Sequence, residues 1–278
     1  MEVAARIGEL GGLLTRSERL VAEVVLARPQ LVAFGTVAEL AGAAGAGAAT
    51  VVRLASKLGY DGFTGLQASI RDDLARQLRP AAERIREQTS GPLIEHSSAV
   101  ERSNVQASLA GLESVSLEVA AVRLADPQAR VLVLSGDASR GVAQQFVGDL
   151  SVLRDGVVLL EGNEIAVGRH LALLRPTDVM VTLDLRRYER WVVDAARSAA
   201  AVGVWSLAIT DSVLSPLAAV AEATFVVSAA SAGPFDSHVG TLAVFNLLVA
   251  SVAERLRDVA TERIDRLEAV WKSSYTDL

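Results

Sequence analysis

Between residues 131 and 227 the chain carries five short runs of β-branched and leucine side chains, at 131–134, 157–160, 179–183, 204–209 and 224–227. Helical stretches separate them, at 142–153, 191–201 and 217–221, and a longer one follows from 237 to 256. None of the five runs alternates apolar with polar residues. A strand apolar on both sides is buried on both faces, and strands that alternate with helices pair in parallel. This half of the chain is therefore expected to be a doubly wound α/β domain with a five-stranded parallel sheet. The mostly charged residues 257–278 are expected to extend it as a helix with a frayed end.

Composition narrows the class further. With 278 residues, 51% hydrophobic and 22% charged, the chain has enough apolar surface for one large domain or two smaller ones, which excludes a mainly disordered state. Mean hydropathy is high at +0.34, yet the most apolar stretch, 239–253, contains Asn246 and runs into Glu254. It reads as a buried helix, because a membrane span needs about 20 apolar residues; no membrane partner is expected. The absence of cysteine excludes disulfides, thiolate zinc sites and a cysteine nucleophile. The first residues lack a basic start followed by an apolar core, so a reducing cytoplasm is the expected location.

A net charge of −6 argues against a polyanionic partner only if it is evenly spread. Residues 1–90 hold 11 Lys and Arg against 10 Asp and Glu, whereas the remainder holds 16 against 23. The acidity belongs to the second part, and the first is free to approach nucleic acid.

That first part reads as short helices punctuated by glycine. Thr15-Arg16-Ser17-Glu18 and Thr36-Val37-Ala38-Glu39 both have the capping-box pattern, so helices are expected to begin at each. Leu20, Val21, Val24 and Val25 give the first an apolar face, and Pro29 closes it. Gly45 and Gly47 interrupt the pattern before a helix over 48–58, with Val51, Leu54, Ala55 and Leu58 on its inner face and Thr50, Arg53, Ser56 and Lys57 on its outer face. Gly59 stands where a left-handed residue ends a helix. Two short helices joined by a glycine-containing turn have the spacing of a helix-turn-helix, whose second helix reads DNA. The same spacing also suits a small helical bundle with a solvated charged face. Ser90-Gly91-Pro92 marks a boundary, after which one long amphipathic helix is expected over 94–124, ending at Asp126-Pro127.

In a doubly wound sheet, ligands bind beyond the carboxyl ends of the strands. The loops there read Ser135-Gly136-Asp137-Ala138-Ser139, Asp184-Leu185-Arg186-Arg187-Tyr188 and Thr210-Asp211-Ser212, the last continuing to Ser215-Pro216-Leu217. A small-residue loop entering a helix, beside two arginines, suits an anionic small molecule. Ser139 and Ser215 are equally readable as helix caps. The three histidines, His96, His170 and His238, are too far apart for a metal spacing, and no metal or cofactor is expected. Asp236-Ser237-His238 does not make a triad, which needs groups from distant segments. His238 is placed at the pocket mouth.

These features together resemble the RpiR family of bacterial transcriptional regulators, which join an N-terminal helix-turn-helix to a sugar isomerase (SIS) domain. Leu14 to Arg19 looks like the family's opening helix. Ala49-Thr50-Val51-Val52-Arg53-Leu54 with Lys57-Leu58-Gly59-Tyr60-Asp61-Gly62-Phe63 is similar to its recognition helix, and Ala208 to Ser212 with Ser215 to Ala218 is similar to its SIS domain. The resemblance implies a helix-turn-helix domain over 1–80, a linker and lead-in helix over 81–126, a SIS domain over 127–256 and a helical tail over 257–278. It implies DNA contacts from Thr36, Gly47, Ala48, Ala49, Thr50, Arg53, Lys57 and Tyr60. It implies effector contacts from Ser135, Asp137, Ser139, Asp184, Arg186, Arg187, Tyr188, Thr210, Ser215 and His238, and no catalytic residue. The partners implied are an inverted-repeat operator, a phosphosugar or sugar acid, and further copies of the chain in a homodimer or homotetramer.

Four positions depart from the family's pattern. Gly47 replaces a serine, Ser135 and Asp137 replace the glycines of the Gly-x-Gly-x-Ser loop, and Asp184 replaces a serine of the Ser-x-Ser-Gly-x-Thr loop, in an Arg-Tyr variant of it. A carboxylate beside a phosphate is repulsive. Two alternatives remain open at this stage, a sugar-phosphate isomerase on the same fold and a regulator whose SIS domain is only a dimerisation scaffold.

Overall fold

The protein is described here from a computed structural model that covers residues 2–10, 13–78, 81–86 and 92–272. Its N-terminal part is helical throughout, with α1 (Glu2–Leu10), α2 (Arg16–Ala27), α3 (Pro29–Phe34), α4 (Val37–Ala43), α5 (Ala48–Lys57) and α6 (Gly62–Leu78). Both expected capping boxes form. Thr15 and Thr36 each accept from the backbone amide three residues on, and Glu18 and Glu39 return a carboxylate to the cap amides at 2.8 and 2.7 Å. Pro29 ends α2 and also opens α3, where its missing N–H costs nothing. One apolar core, including Val21, Val25, Leu40, Val51, Leu54, Leu66 and Ile70, ties these helices together. Gly59 adopts φ +82°, as a left-handed helix terminator requires.

The short α7 (Ala81–Arg86) stands between this bundle and the rest. The Ser90-Gly91 part of the expected boundary lies outside the described residues. The single long helix expected over 94–124 is instead two, α8 (Leu93–Ala110) and α9 (Ser114–Ala125), set at 84°. Gly111 terminates the first and Glu113 starts the second, so apolar residues at helical spacing on both sides conceal a corner.

The second half holds β1 (Val131–Ser135), α10 (Arg140–Leu153), β2 (Val157–Leu159), α11 (Glu164–Ala172), β3 (Val179–Leu183), α12 (Arg190–Val202), β4 (Trp205–Thr210), β5 (Ala223–Val226), α13 (Val239–Arg255) and α14 (Arg257–Trp271). The five strands pair in parallel in the order β2-β1-β3-β4-β5. Alternate residues of one strand serve opposite faces. Val131 and Val133 join Phe146, Leu150, Phe245 and Leu248 on one side, while Leu132 and Leu134 join Val192, Ala196 and Val167 on the other. This two-sided burial is why the strand runs are continuously apolar. Phe146 and Phe245 stack with centroids 4.2 Å apart and bind α10 to α13.

Two expectations fail here. The stretch 217–221 is a run of turns and no helix, and α11 was not foreseen. Ser215 Oγ accepts from the Ala218 amide at 3.0 Å, as a helix cap would, but only turns follow it. Among the described residues no single helix is long and apolar enough to cross a membrane.

Candidate functional site

Two places bring the expected residues together. The first is the α4–α5 pair, whose axes lie 99° apart across the turn at 44–47. Gly47, Ala48 and Ala49 are exposed at the start of α5, and Gly47 offers no side-chain cap, so the first-turn amides face outward beside small residues. Arg53 projects from the outer face. Thr50 does not share that face, contrary to the sequence reading. It is only 7% exposed and its Oγ1 accepts from Arg53 Nη2 at 3.0 Å. Thr50 stands one helical turn before Leu54, and residues four apart lie along the same inward line.

Lys57 is exposed but committed. Its Nζ donates to Glu18 Oε2 at 3.0 Å and to the Leu13 carbonyl at 2.8 Å, which pins the end of α5 to the start of α2. The Thr15 amide and then Lys57 hold the Glu18 carboxyl below the usual carboxylate range. Tyr60 lies under the Arg6 guanidinium, 4.6 Å from the ring centroid, and Thr36 is exposed with its hydroxyl engaged by Glu39.

The second place is a cleft of about 580 Å³ at the carboxyl ends of β1 and β3. The chain continues from β1 outward to β2 and from β3 the other way to β4, so this is the switch point of the sheet. Of the ten expected effector residues, Ser139, Asp184, Arg186, Arg187 and His238 line it. The other five do not. Ser135 and Thr210 are buried at strand ends, Ser215 is buried in its turn, Asp137 turns outward to Arg140, and the Tyr188 hydroxyl donates to Asp211 at 2.8 Å. Burial, then Asp211, pushes the Tyr188 hydroxyl well above its ordinary pKa, which keeps it a neutral donor. Ser139 is buried at the start of α10 without making a side-chain cap.

Asp184 is 3% exposed, and its two oxygens accept from the amides of Leu185 at 2.9 Å and Glu189 at 2.7 Å. Burial raises its pKa to about 6, against the pull of those amides. Gly136 passes over the same carboxylate so closely that a Cβ there would stand 2.6 Å from Oδ1. Arg186 sits at φ +58°, a left-handed conformation held by Asp211, which accepts its amide at 3.0 Å. The Arg186 side chain reaches Asp236 at 3.1 Å and the Ala229 carbonyl at 3.2 Å. His238 Nε2 lies 3.1 Å from the Ala138 carbonyl, and burial lowers its pKa. A carbonyl only accepts, so Nε2 carries a proton in this contact.

Seven further residues line the cleft, namely Ala81, Ala138 and Leu185 and, with larger side chains, Arg84, Glu189, Phe235 and Asp236. Arg84 comes from α7 and meets Asp236 Oδ1 at 2.8 Å across 152 positions of sequence. No local signal marks such a pair. Glu189 follows directly on the 184–188 loop, but only the fold shows that it crosses to the loop after β1, where its Oε1 accepts from the Asp137 amide at 2.5 Å. Among the described residues no three His, Asp or Glu side chains group closely enough to hold a metal ion.

A helix-turn-helix followed by a parallel-sheet domain with a cleft at its switch point is the build of a one-chain transcriptional regulator. Comparison with known proteins agrees. The chain matches the helix-turn-helix domain of the rpiR family over residues 1–77 and the SIS domain over residues 124–251. It is 26% identical over 260 residues to an HTH-type transcriptional regulator of Caldanaerobacter subterraneus, spanning 91% of each chain. It is 25% identical over 269 residues to another of Haemophilus influenzae, spanning 94% of this chain and 93% of that one. Among solved structures, the sugar isomerase domain of the RpiR transcription factor from Sphaerobacter thermophilus is 30% identical at a TM-score of 0.58, covering 64% of this chain and 98% of that one. The NanR protein of Vibrio vulnificus, complexed with ManNAc-6P, shares the fold along the full length of both chains at 20% identity and a TM-score of 0.59. The chain belongs to the RpiR family of transcriptional regulators.

Proposed function

We propose that the chain binds an inverted-repeat operator as a homodimer or homotetramer through α5, and that a sugar-derived effector in the switch-point cleft alters that binding. The observation that carries the reading is the outward-facing start of α5, with uncapped amides at Gly47, Ala48 and Ala49 and the Arg53 guanidinium beside them. Small residues let the helix end approach base edges, and open amides suit a phosphate. Arg53 and this first turn make the direct contacts. Thr50 and Lys57 hold α5 in position, and Thr36 and Tyr60 flank it. Ser139, Asp184, Arg186, Arg187 and His238 meet the effector, with Ser135, Asp137, Tyr188, Thr210 and Ser215 supporting the loops.

The functional units run over 1–80, 81–126, 127–256 and 257–278, in the cytoplasm. Relatives named as regulators support binding without catalysis, and ManNAc-6P on the NanR protein supports a sugar-derived effector. The mechanism is a population shift, since the effector must bind one spacing of two reading heads better than another. Band-shift titration against the gene's own upstream region over a salt series tests the reading. Sequence-dependent retardation is expected, with a shallow salt slope because the head is nearly neutral. No retardation at low salt refutes it.

A further inference from the structure

Phosphate-binding loops work by turning backbone amides toward the anion, so the present partners of the amides in the cleft loops matter. Four of them are taken by carboxylates of the chain itself. Glu189 accepts from Asp137 at 2.5 Å, Asp184 from Leu185 at 2.9 Å and from Glu189 at 2.7 Å, and Asp211 from Arg186 at 3.0 Å. The Glu189 carboxylate does at the β1 loop what a ligand anion would do. Charge points the same way, because Arg84, Arg186 and Arg187 line the cleft opposite Asp184, Glu189 and Asp236, and two of the arginines converge on Asp236. A dianion entering there gains no excess positive charge and meets three acids.

The remaining groups suit hydroxyls. The lining offers three carboxylates, Asp184, Glu189 and Asp236, beside three guanidinium groups, Arg84, Arg186 and Arg187, so it both accepts and donates. A hydroxyl serves both kinds because it donates and accepts; a fully ionised phosphate can only accept.

We propose that the cleft takes an unphosphorylated, polyhydroxylated ligand, neutral or singly charged, and that Glu189 is a tethered carboxylate occupying the place of a phosphate. This rests on the reading of the cleft as the effector site and decides which sugar-derived class fits it.

The experiment is calorimetry on the full chain and on Glu189→Ala, with inorganic phosphate and with sugars, polyols and sugar acids each paired with its own phosphate ester. The unmodified chain is expected to take up no phosphate saturably, and to bind the unphosphorylated member of a responsive pair at least about tenfold tighter than its ester. Glu189→Ala is expected to gain at least about tenfold in affinity for phosphate and for the esters. Glu189→Gln, which keeps an acceptor for the Asp137 amide, is expected to show a smaller gain and serves where the alanine variant folds poorly. Tighter binding of an ester than of its parent by the unmodified chain overturns the proposal, as does the absence of any gain in both variants. Operator retardation by the same preparations reports on the regulator reading separately. An ester that releases operator DNA sinks only the ligand class, whereas absent retardation sinks the function.

Discussion

Replacing Asp184 with asparagine is expected to gain stability relative to the unmodified chain as pH rises from 4 to 7, although the residue lies in the cleft and accepts two amides. The carboxyl has an ordinary pKa of 3.8, which burial raises to about 6 in the folded chain. Between those values the folded protein holds a proton that the unfolded chain has released. Stability contributed by the protonated group is therefore complete below about pH 4, falls as pH rises to about 6, and is flat above. A shift of roughly two units corresponds to about 3 kcal/mol. Asparagine does not titrate, and any change in hydrogen bonding it brings is constant with pH. The stability of Asp184→Asn minus that of the unmodified chain should thus rise by about 3 kcal/mol from pH 4 to pH 7. Other carboxylates such as Asp178, held low by Arg130 and the Arg175 amide despite burial, titrate alike in both proteins and cancel. All three tryptophans, Trp191, Trp205 and Trp271, follow residue 190, so urea unfolding read by their fluorescence follows this half of the chain. A difference that stays level across pH 4–7 refutes the burial argument.

Three further outcomes are expected. Arg53→Ala should lower operator affinity about 10- to 100-fold in band-shift titration with unchanged thermal unfolding, because among the described residues Arg53 is bonded only to Thr50; unchanged affinity would remove α5 from the interface. Phe146→Ala should cost about 3–5 kcal/mol in urea unfolding, since the ring is 1% exposed and stacked on Phe245; a loss below about 1 kcal/mol would mean that α10 and α13 close the gap. Gly136→Ala should cost about 1–3 kcal/mol, because the new methyl meets the Asp184 carboxylate and forces it off its two amides; an unchanged melting temperature measured by circular dichroism would show that the loop yields freely.

The strands were legible because each is apolar on both faces, a pattern that little else produces. Both capping boxes were legible because they are local, four residues long and made of groups that bond each other. The corner between α8 and α9 was not, since helical spacing continues across Gly111 and nothing within a few residues announces a change of axis. The turns at 217–221 escaped for a similar reason, since a serine that accepts the amide three residues on is also what a helix start shows.

The site shows the same division. Composition and spacing along the chain determined the parallel sheet and the outward Arg53 of α5, because each follows from a short period in the sequence. Tertiary structure alone decided the strand order that sets the switch point, that Lys57 is held by Glu18, and that Glu189 reaches the loop after β1 while Arg84 reaches Asp236 from 152 positions away. Those choices depend on which charges and amides folding brings within hydrogen-bond reach, and sequence separation carries no record of that distance.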